Sequence, residues 1–385
     1  MMHTEEQEAA IQTDDERVVI EAGPGAGKTM VIGRRIAHLL MTGTKPEDIL
    51  ALTFTRSACQ AIRASAAVQA GDELAARVTI RTFHAFAYMV VKSLNPRMAV
   101  STERQSEVAF CSLYNGGSRR RHVTPKIRLR SALMRYEAVG PHCGDKEVDD
   151  AIGDISCLLQ RLMDAQLVPT WALANLALFS SEEVPSYEHV LVDELQDCTE
   201  NELTLAHQAT LGCGSLFMVG DPRQAIMGWR GARSWDYEVT HRLTKTFRFS
   251  EVIAAVANDL ADRHGWGRIV GHDGPGEVVR NSDLRMMPIM HGSKAILCRT
   301  NDECRQIAAS LDGAVHVCSG IDPLSAPADV FDSVRGENLI AVATVHSAKG
   351  REWDHVAVRL HPGGDDEEQR VRYVALTRAR RTLLL

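Results

Sequence analysis

Short unbroken runs of apolar residues alternate along this chain with longer stretches in which apolar positions recur every three to four residues. The runs Val18–Ile20, Ile49–Phe54, Val78–Ile80, Val190–Val192 and Leu216–Val219 each stop at a turn rich in Gly, Thr or Asp. Because they are continuous rather than alternating, they predict strands covered on both faces. Met30–Met41 carries Val31, Ile32, Ile36, Leu39 and Leu40 at helical spacing, and Gly43 closes it. A polar helix over 5–16 precedes the first strand, and an Ala-rich helix follows Thr55. Strand–helix alternation of this kind predicts a parallel α/β sheet with its ligand site at the carboxyl ends of the strands.

From about Leu94 to Pro185 the strand pattern fades, and Val148–Leu178 reads as helical with a break at Pro169. A second alternation starts after Arg242. It predicts helices over 250–263 and 302–311, strands near 278–280, 294–298, 314–318, 339–345 and 355–360, a helix from Asp366, and a last strand, Thr382–Leu385. The expected organisation is one α/β unit made of 1–94 and 186–243, a helical insertion over 95–185, and a second α/β unit over 244–385.

Composition narrows the class. At 385 residues with 45% hydrophobic and 24% charged side chains, the chain has room for two or three cored domains. No apolar run reaches membrane-spanning length, and the acidic N-terminus is unlike a secretory signal. The nine cysteines form no CxxC pair, so they are read as reduced thiols and the protein as cytoplasmic, without a membrane partner. A net charge of −7 disfavours a nucleic-acid coat protein but permits a local basic track. One such track carries Arg119, Arg120, Arg121, Lys126, Arg128, Arg130 and Arg135 without an acid between them. It reads either as a solvated face or as a phosphate contact.

Two stretches carry chemistry. In VVIEAGPGAGKT a β-branched strand runs into a Gly-rich turn, and Lys28 and Thr29 open a helix. Gly23, Gly25 and Gly27, with Ala22, Pro24 and Ala26 between them, let backbone N–H groups face a triphosphate at a helix N-terminus. Lys28 would reach the β- and γ-phosphates, the Thr29 hydroxyl would hold Mg2+, and Met30 follows beside the nucleotide. In HVLVDELQD an apolar strand delivers Asp193 to its carboxyl end, placed to hold Mg2+ through water, with Glu194 beside it to orient or deprotonate a water. Carboxylates in such places also cap helices, but the pairing with GKT in one sheet favours an ATP site.

Taken together, AGPGAGKT, TFTRSA, TFHAF, VDELQD, VGDPRQAIMGWRGA, TFRFS, TVHSAKGREWD and VRYVALTRAR resemble, in content and order, the motifs of the UvrD/Rep/PcrA branch of the superfamily 1 DNA helicases. They span nearly all of the chain except about 95–185. The resemblance implies two RecA-like P-loop NTPase domains with ATP and Mg2+ between them. It assigns Gln224 to sensing the γ-phosphate and Arg248 and Arg378 to arginine fingers, while Phe247 would stack on adenine where relatives often have Tyr. Gln7 would read adenine, Glu352 would meet the ribose, and Gly350 belongs to the same nucleotide-facing motif. For single-stranded DNA it implies contacts from Phe54, Thr55, Phe83, His84, Trp229, Arg230 and His346. Phe54 and Phe83 read equally well as core residues at strand ends.

Two departures from the family pattern stand out. Met227 sits where relatives commonly carry a Tyr stacking platform. Only residues 302–338 separate the strand at 295–299 from the motif near Leu339, where relatives insert a large accessory domain. Together with the end of the sequence just after VALTRAR, this leads us to expect a near-minimal motor. The resulting expectation is an ATP-dependent helicase or translocase moving 3′→5′ on single strands and at single-/double-strand junctions. A single-strand translocase that unwinds poorly without a nuclease or a repair, replication or defence partner is the alternative, and a nucleotide-gated interaction protein without turnover is a third.

Overall fold

The computed structural model describes residues 4–101, 159, 162–169, 172–178, 184–232, 235–280, 283–317, 339–361 and 363–385. The basic track at 119–135 and most of the expected helical insertion lie outside these residues. Helix α1, Glu5–Gln12, opens the described chain and is closed at its start by a reciprocal capping box between Thr4 and Gln7. It stops four residues before the expected end. Asp14, Asp15 and Glu16 would place negative charge at the negative pole of a longer helix.

The first sheet is wholly parallel. Its strands are β1 (Arg17–Ala22), β2 (Ile49–Thr53), β3 (Thr79–Thr82), β6 (Tyr187–Val192), β7 (Thr210–Gly220) and β8 (His241–Leu243), in the order β3-β2-β6-β7-β1-β8. Helix α2, Lys28–Met41, crosses back over β1 and packs on α3, Arg56–Ala70. That approach needs Gly33, where a Cβ would stand 2.4 Å from Cβ of Ser65 and 2.7 Å from the Ile62 carbonyl. One face of the sheet is filled by Val18, Ile20, Ile32, Ile36, Ile49 and Phe217, the other by Leu50, Leu52, Phe83, Phe86, Val190 and Met218. Burial on both sides is why these strands read as continuous apolar runs.

Two short strands, β4 (Ala99–Val100) and β5 (Leu167–Val168), pair in parallel inside the segment expected to be purely helical. Strands of two residues are too short to leave a period in the sequence.

The second six-stranded sheet is also parallel. It is built from β11 (Glu277–Val279), β12 (Lys294–Cys298), β13 (Ala314–Val317), β14 (Ile340–Thr344), β15 (Trp353–Arg359) and β16 (Ala379–Leu384), in the order β11-β16-β15-β12-β14-β13. Between the two sheets runs β9, Lys245–Ser250, paired with β10, Val270–His272. One residue, Thr244, separates β8 of the first sheet from β9. This is a mixed α/β architecture of two RecA-like units, with the candidate chemistry gathered where their strands end.

Candidate functional site

The turn after β1 is shaped by two glycines in the left-handed region, Gly25 (φ 74°) and Gly27 (φ 84°). A side chain at Gly25 would meet Thr246 Oγ1 at 2.4 Å and Arg248 Cβ at 2.6 Å, so the loop lies directly against β9. Two backbone bonds fix that approach: Gly23 N–H donates to the Leu243 carbonyl (3.1 Å) and Phe247 N–H to the Gly25 carbonyl (2.9 Å). Lys28 then begins α2. Gln7, expected at adenine, is buried; its amide nitrogen donates to the Ala26 carbonyl (2.9 Å) and its amide oxygen accepts from Thr4 N–H (3.2 Å). Phe247 is 46% exposed beside the loop, with the Lys245 ammonium 6.0 Å from its ring centroid.

The carboxylates stand at the end of β6. Asp193 is buried and accepts from the Thr53 hydroxyl (3.2 Å) and from Glu194 N–H (3.1 Å). Glu194 is a non-glycine residue in the left-handed region (φ 54°, ψ 46°), and Gln196 Nε2 donates to its carboxylate at 2.7 Å. Such backbone strain costs about 1–3 kcal/mol and concentrates at functional sites. Burial, then the neighbouring Glu194 charge, push the Asp193 carboxyl up to about 7, with Lys28 pulling the other way. Burial opposes ionisation of Glu194 too, but Lys28, Lys349, Gln196 and Arg378 outweigh it and hold that carboxyl below its ordinary range. Asp193, buried, and its half-buried neighbour Glu194 stand as adjacent carboxylates beside Lys28, a donor set that suits a divalent cation.

The second unit supplies cations to the same place. Arg378, 1% exposed, donates from Nη2 to Gln224 Oε1 at 2.8 Å and from Nε to the Val374 carbonyl at 2.9 Å. Burial, then the nearby Arg248 charge, lower its pKa to about 9. Gln224 donates in turn to Asp221 (2.7 Å), which is fully buried. Arg248 is held by Glu352 (2.6 Å) and the Thr377 carbonyl (2.9 Å), and Glu352 also takes Arg380. Glu352, expected at the ribose, thus stands in an arginine pair at the mouth of the cleft. Gly350 (φ 78°) leaves open space where a side chain would be.

Two residues that sequence reasoning left without a role bind the units together. Lys349 Nζ lies 2.6 Å from Asp197 Oδ1, with both side chains buried, and also donates to the Gln224 carbonyl. Burial raises the Asp197 carboxyl to about 6 despite that lysine. Both residues lie inside the quoted motifs, HSAKG and VDELQD. The signal was present, but nothing along the chain paired them. Arg223 similarly joins Asp221 (2.7 Å) to the Gly267 carbonyl and the Tyr373 ring.

The residues expected on a DNA strand divide. Phe83 is 2% exposed and belongs to the core, in tilted contact with half-buried Phe54 (5.2 Å between centroids). Thr55 caps α3 through Ala58 N–H (3.1 Å). Arg230 turns inward, with Nη2 2.9 Å from Glu202 and 3.5 Å from the His84 ring, and its guanidinium over Phe54. Met227 is fully buried in the second unit's core with Ile226, so its thioether packs rather than stacks. Trp229 is half-buried against the same core. His346 faces the backbone of Ile226; burial, then Arg299 and Lys349, lower it to about 4, so the ring is neutral. Among the described residues no helix is long and apolar enough to cross a membrane.

Comparison with known proteins agrees with this layout. The profile of the UvrD/REP helicase N-terminal domain matches residues 3–112 and 154–244, and that of the UvrD-like helicase C-terminal domain matches 339–385. The chain is similar to proteins named ATP-dependent DNA helicase PcrA. With that of Leuconostoc citreum it shares 25% identity over 357 residues, 79% of this chain and 48% of the relative. With that of Staphylococcus epidermidis it shares 28% over 251 residues (59% and 34%), and with that of Staphylococcus aureus 26% over 292 residues (67% and 40%). The chain thus spans half or less of the length of these curated relatives. With its P-loop, its paired carboxylates and the whole first parallel sheet in the matched regions, it belongs to the UvrD/REP helicase family.

Proposed function

We propose that the protein is an ATP-driven motor on single-stranded DNA, hydrolysing ATP in the cleft between its two α/β units. The observation that carries this is the Arg378–Gln224 hydrogen bond. It sets a guanidinium of the second unit among Lys28, Asp193 and Glu194 of the first. Phosphoryl transfer is catalysed chiefly by positioning and by stabilising charge on the transferred group. Lys28 would hold the β- and γ-phosphates, and Arg248 and Arg378 would meet the γ-phosphate from across the cleft. Glu194, ionised and steadied by Gln196, would orient the attacking water and take its proton. Thr29 and Asp193 would hold Mg2+, which when bound neutralises phosphate charge.

Gln224 lies one short turn from the segment 226–230, which carries Trp229 and touches His346. A change at the γ-phosphate therefore reaches a candidate stacking platform through a few bonds. Alternating grip there would turn the ATP cycle into travel, 3′→5′ by family likeness. A second reading, a translocase that unwinds poorly alone, is favoured by the interval between β12 and β14. Helix Asn301–Ser310 and β13 already occupy part of it, leaving 318–338 for any accessory structure.

The test is ATPase rate with and without single-stranded DNA, then strand displacement on duplexes with a 3′ or a 5′ tail. Strong stimulation and a need for the 3′ tail are expected. Flat, low turnover would leave only a nucleotide-gated switch, and a 5′-tail requirement would reverse the polarity. Lys28→Ala and Glu194→Gln should each abolish turnover.

A further inference from the structure

Neighbouring residues on α1 hold two different parts of the cleft. Gln7 supports the P-loop through the Ala26 carbonyl. Glu6 reaches the crossing between the sheets: one carboxylate oxygen accepts Thr244 N–H at 2.8 Å and the other accepts the Thr244 hydroxyl at 2.7 Å. Thr244 is the single residue between β8 and β9. Its carbonyl accepts from Val270 N–H of β10 at 2.9 Å. The crossing peptide is therefore gripped on its amide side by the first unit and on its carbonyl side by the second. Phe247 and Arg248 follow three and four residues later.

We propose that Glu6 is a positioning residue that anchors this crossing point. With Thr244 N–H and Oγ fixed to α1 and its carbonyl held by β10, rotation between the units is confined to the Thr244 Cα–C bond and the bonds after it. Closure then brings Phe247 and Arg248 back to the same place over the P-loop. A carboxylate suits the task because it can accept from the backbone and the hydroxyl of one residue at once. Without that grip the crossing segment samples other directions, the closed cleft is less populated, and a ligand that must bridge both walls binds more weakly in proportion. The inference rests on the triphosphate site proposed above.

The experiment compares two ligands on the whole chain: ADP, and a non-hydrolysable ATP analogue whose γ-phosphate meets Arg248 and Arg378. Glu6→Ala should weaken the ATP analogue about tenfold while ADP stays within about twofold. Gln7→Ala, which disturbs the P-loop itself, should weaken both ligands alike. Thr244→Val, which removes one of the two hydrogen bonds and keeps the backbone N–H, should show the Glu6 pattern at smaller amplitude. It serves as the reporter if Glu6→Ala does not fold. Equal loss of both ligands in Glu6→Ala, or no selective loss in Thr244→Val, would overturn the anchor and reduce Glu6 to a local support of α1. Failure of the unaltered protein to bind either nucleotide would take down the triphosphate site and the anchor together.

Discussion

Replacing Arg378 by Lys keeps a positive charge in name, and the environment of this side chain predicts that the charge will be lost near neutral pH. Arg378 is 1% exposed, and its three guanidinium nitrogens donate to Gln224, Thr377 and the Val374 and Arg351 carbonyls. Burial and the Arg248 charge lower its pKa from 12.5 to about 9, which still leaves it charged under working conditions. A lysine ammonium starts from an ordinary pKa of about 10.4, so the same pull brings it to about 7. The assay is the pH profile of kcat/KM for ATP with saturating single-stranded DNA, because that ratio reports groups on the free enzyme. The native protein should hold its activity through about pH 8. Arg378→Lys should lose activity as pH rises through about 7, up to roughly tenfold per unit above it. It should also sit below the native rate at every pH, since one ammonium cannot reproduce the fork. Arg378→Ala, with no charge to titrate, should be lower by about three to five orders of magnitude without that pH dependence. A flat profile for Arg378→Lys would refute both the burial argument and the placement of this side chain.

Three further outcomes follow from other contacts. Lys349→Met strands the buried Asp197 carboxylate and should cost about 3–5 kcal/mol in denaturant unfolding, and adding Asp197→Asn should recover part of it; equal stability of Lys349→Met and the native protein would show the pair to be idle. His346 has a folded pKa of about 4 against an unfolded 6.5, so the unfolded chain binds more protons between those values and stability falls as pH drops through that window. The loss approaches about 3 kcal/mol at the acid end. His346→Gln should flatten this part of the stability–pH curve, and an unchanged slope would assign it to other groups. Trp229→Ala should weaken single-strand binding by about 1–3 kcal/mol while leaving the salt slope unaltered, because stacking is lost and no phosphate contact is. A reduced slope would mean the loop around Trp229 also carries phosphate contacts.

What the sequence could and could not foretell follows from which interactions are local. The central strands of both sheets are readable because burial on two faces leaves an unbroken apolar run, which the edge strand β8 (HRL) lacks, and the P-loop is readable because its glycines are required by backbone angles within a few residues. β9 was not read as a strand. Lys245–Ser250 (KTFRFS) carries only two apolar residues, pairs in its sheet with the short β10, and takes its position from the P-loop it touches. The same distinction holds for side chains. Arg230 has the charge and motif of a strand contact, yet it turns inward to pair with Glu202, buried in the capping box of the helix Glu200–Gln208. Met227 departs from the aromatic expected at its position and lies where Ile226, Phe249 and Val345 surround it with hydrocarbon. Lys349 and Asp197 are separated by 152 residues and form a buried ion pair between the units. No spacing rule could have joined them. The motifs identify which groups a phosphoryl-transfer site needs, whereas the partner each group keeps is decided by the approach of the two sheets. That approach also determines which changes will alter coupling rather than chemistry. Residues that hold one unit to the other, Lys349, Arg223 and Glu6 among them, should alter how ATP and DNA affect each other, whereas Lys28 and Glu194 should alter turnover itself.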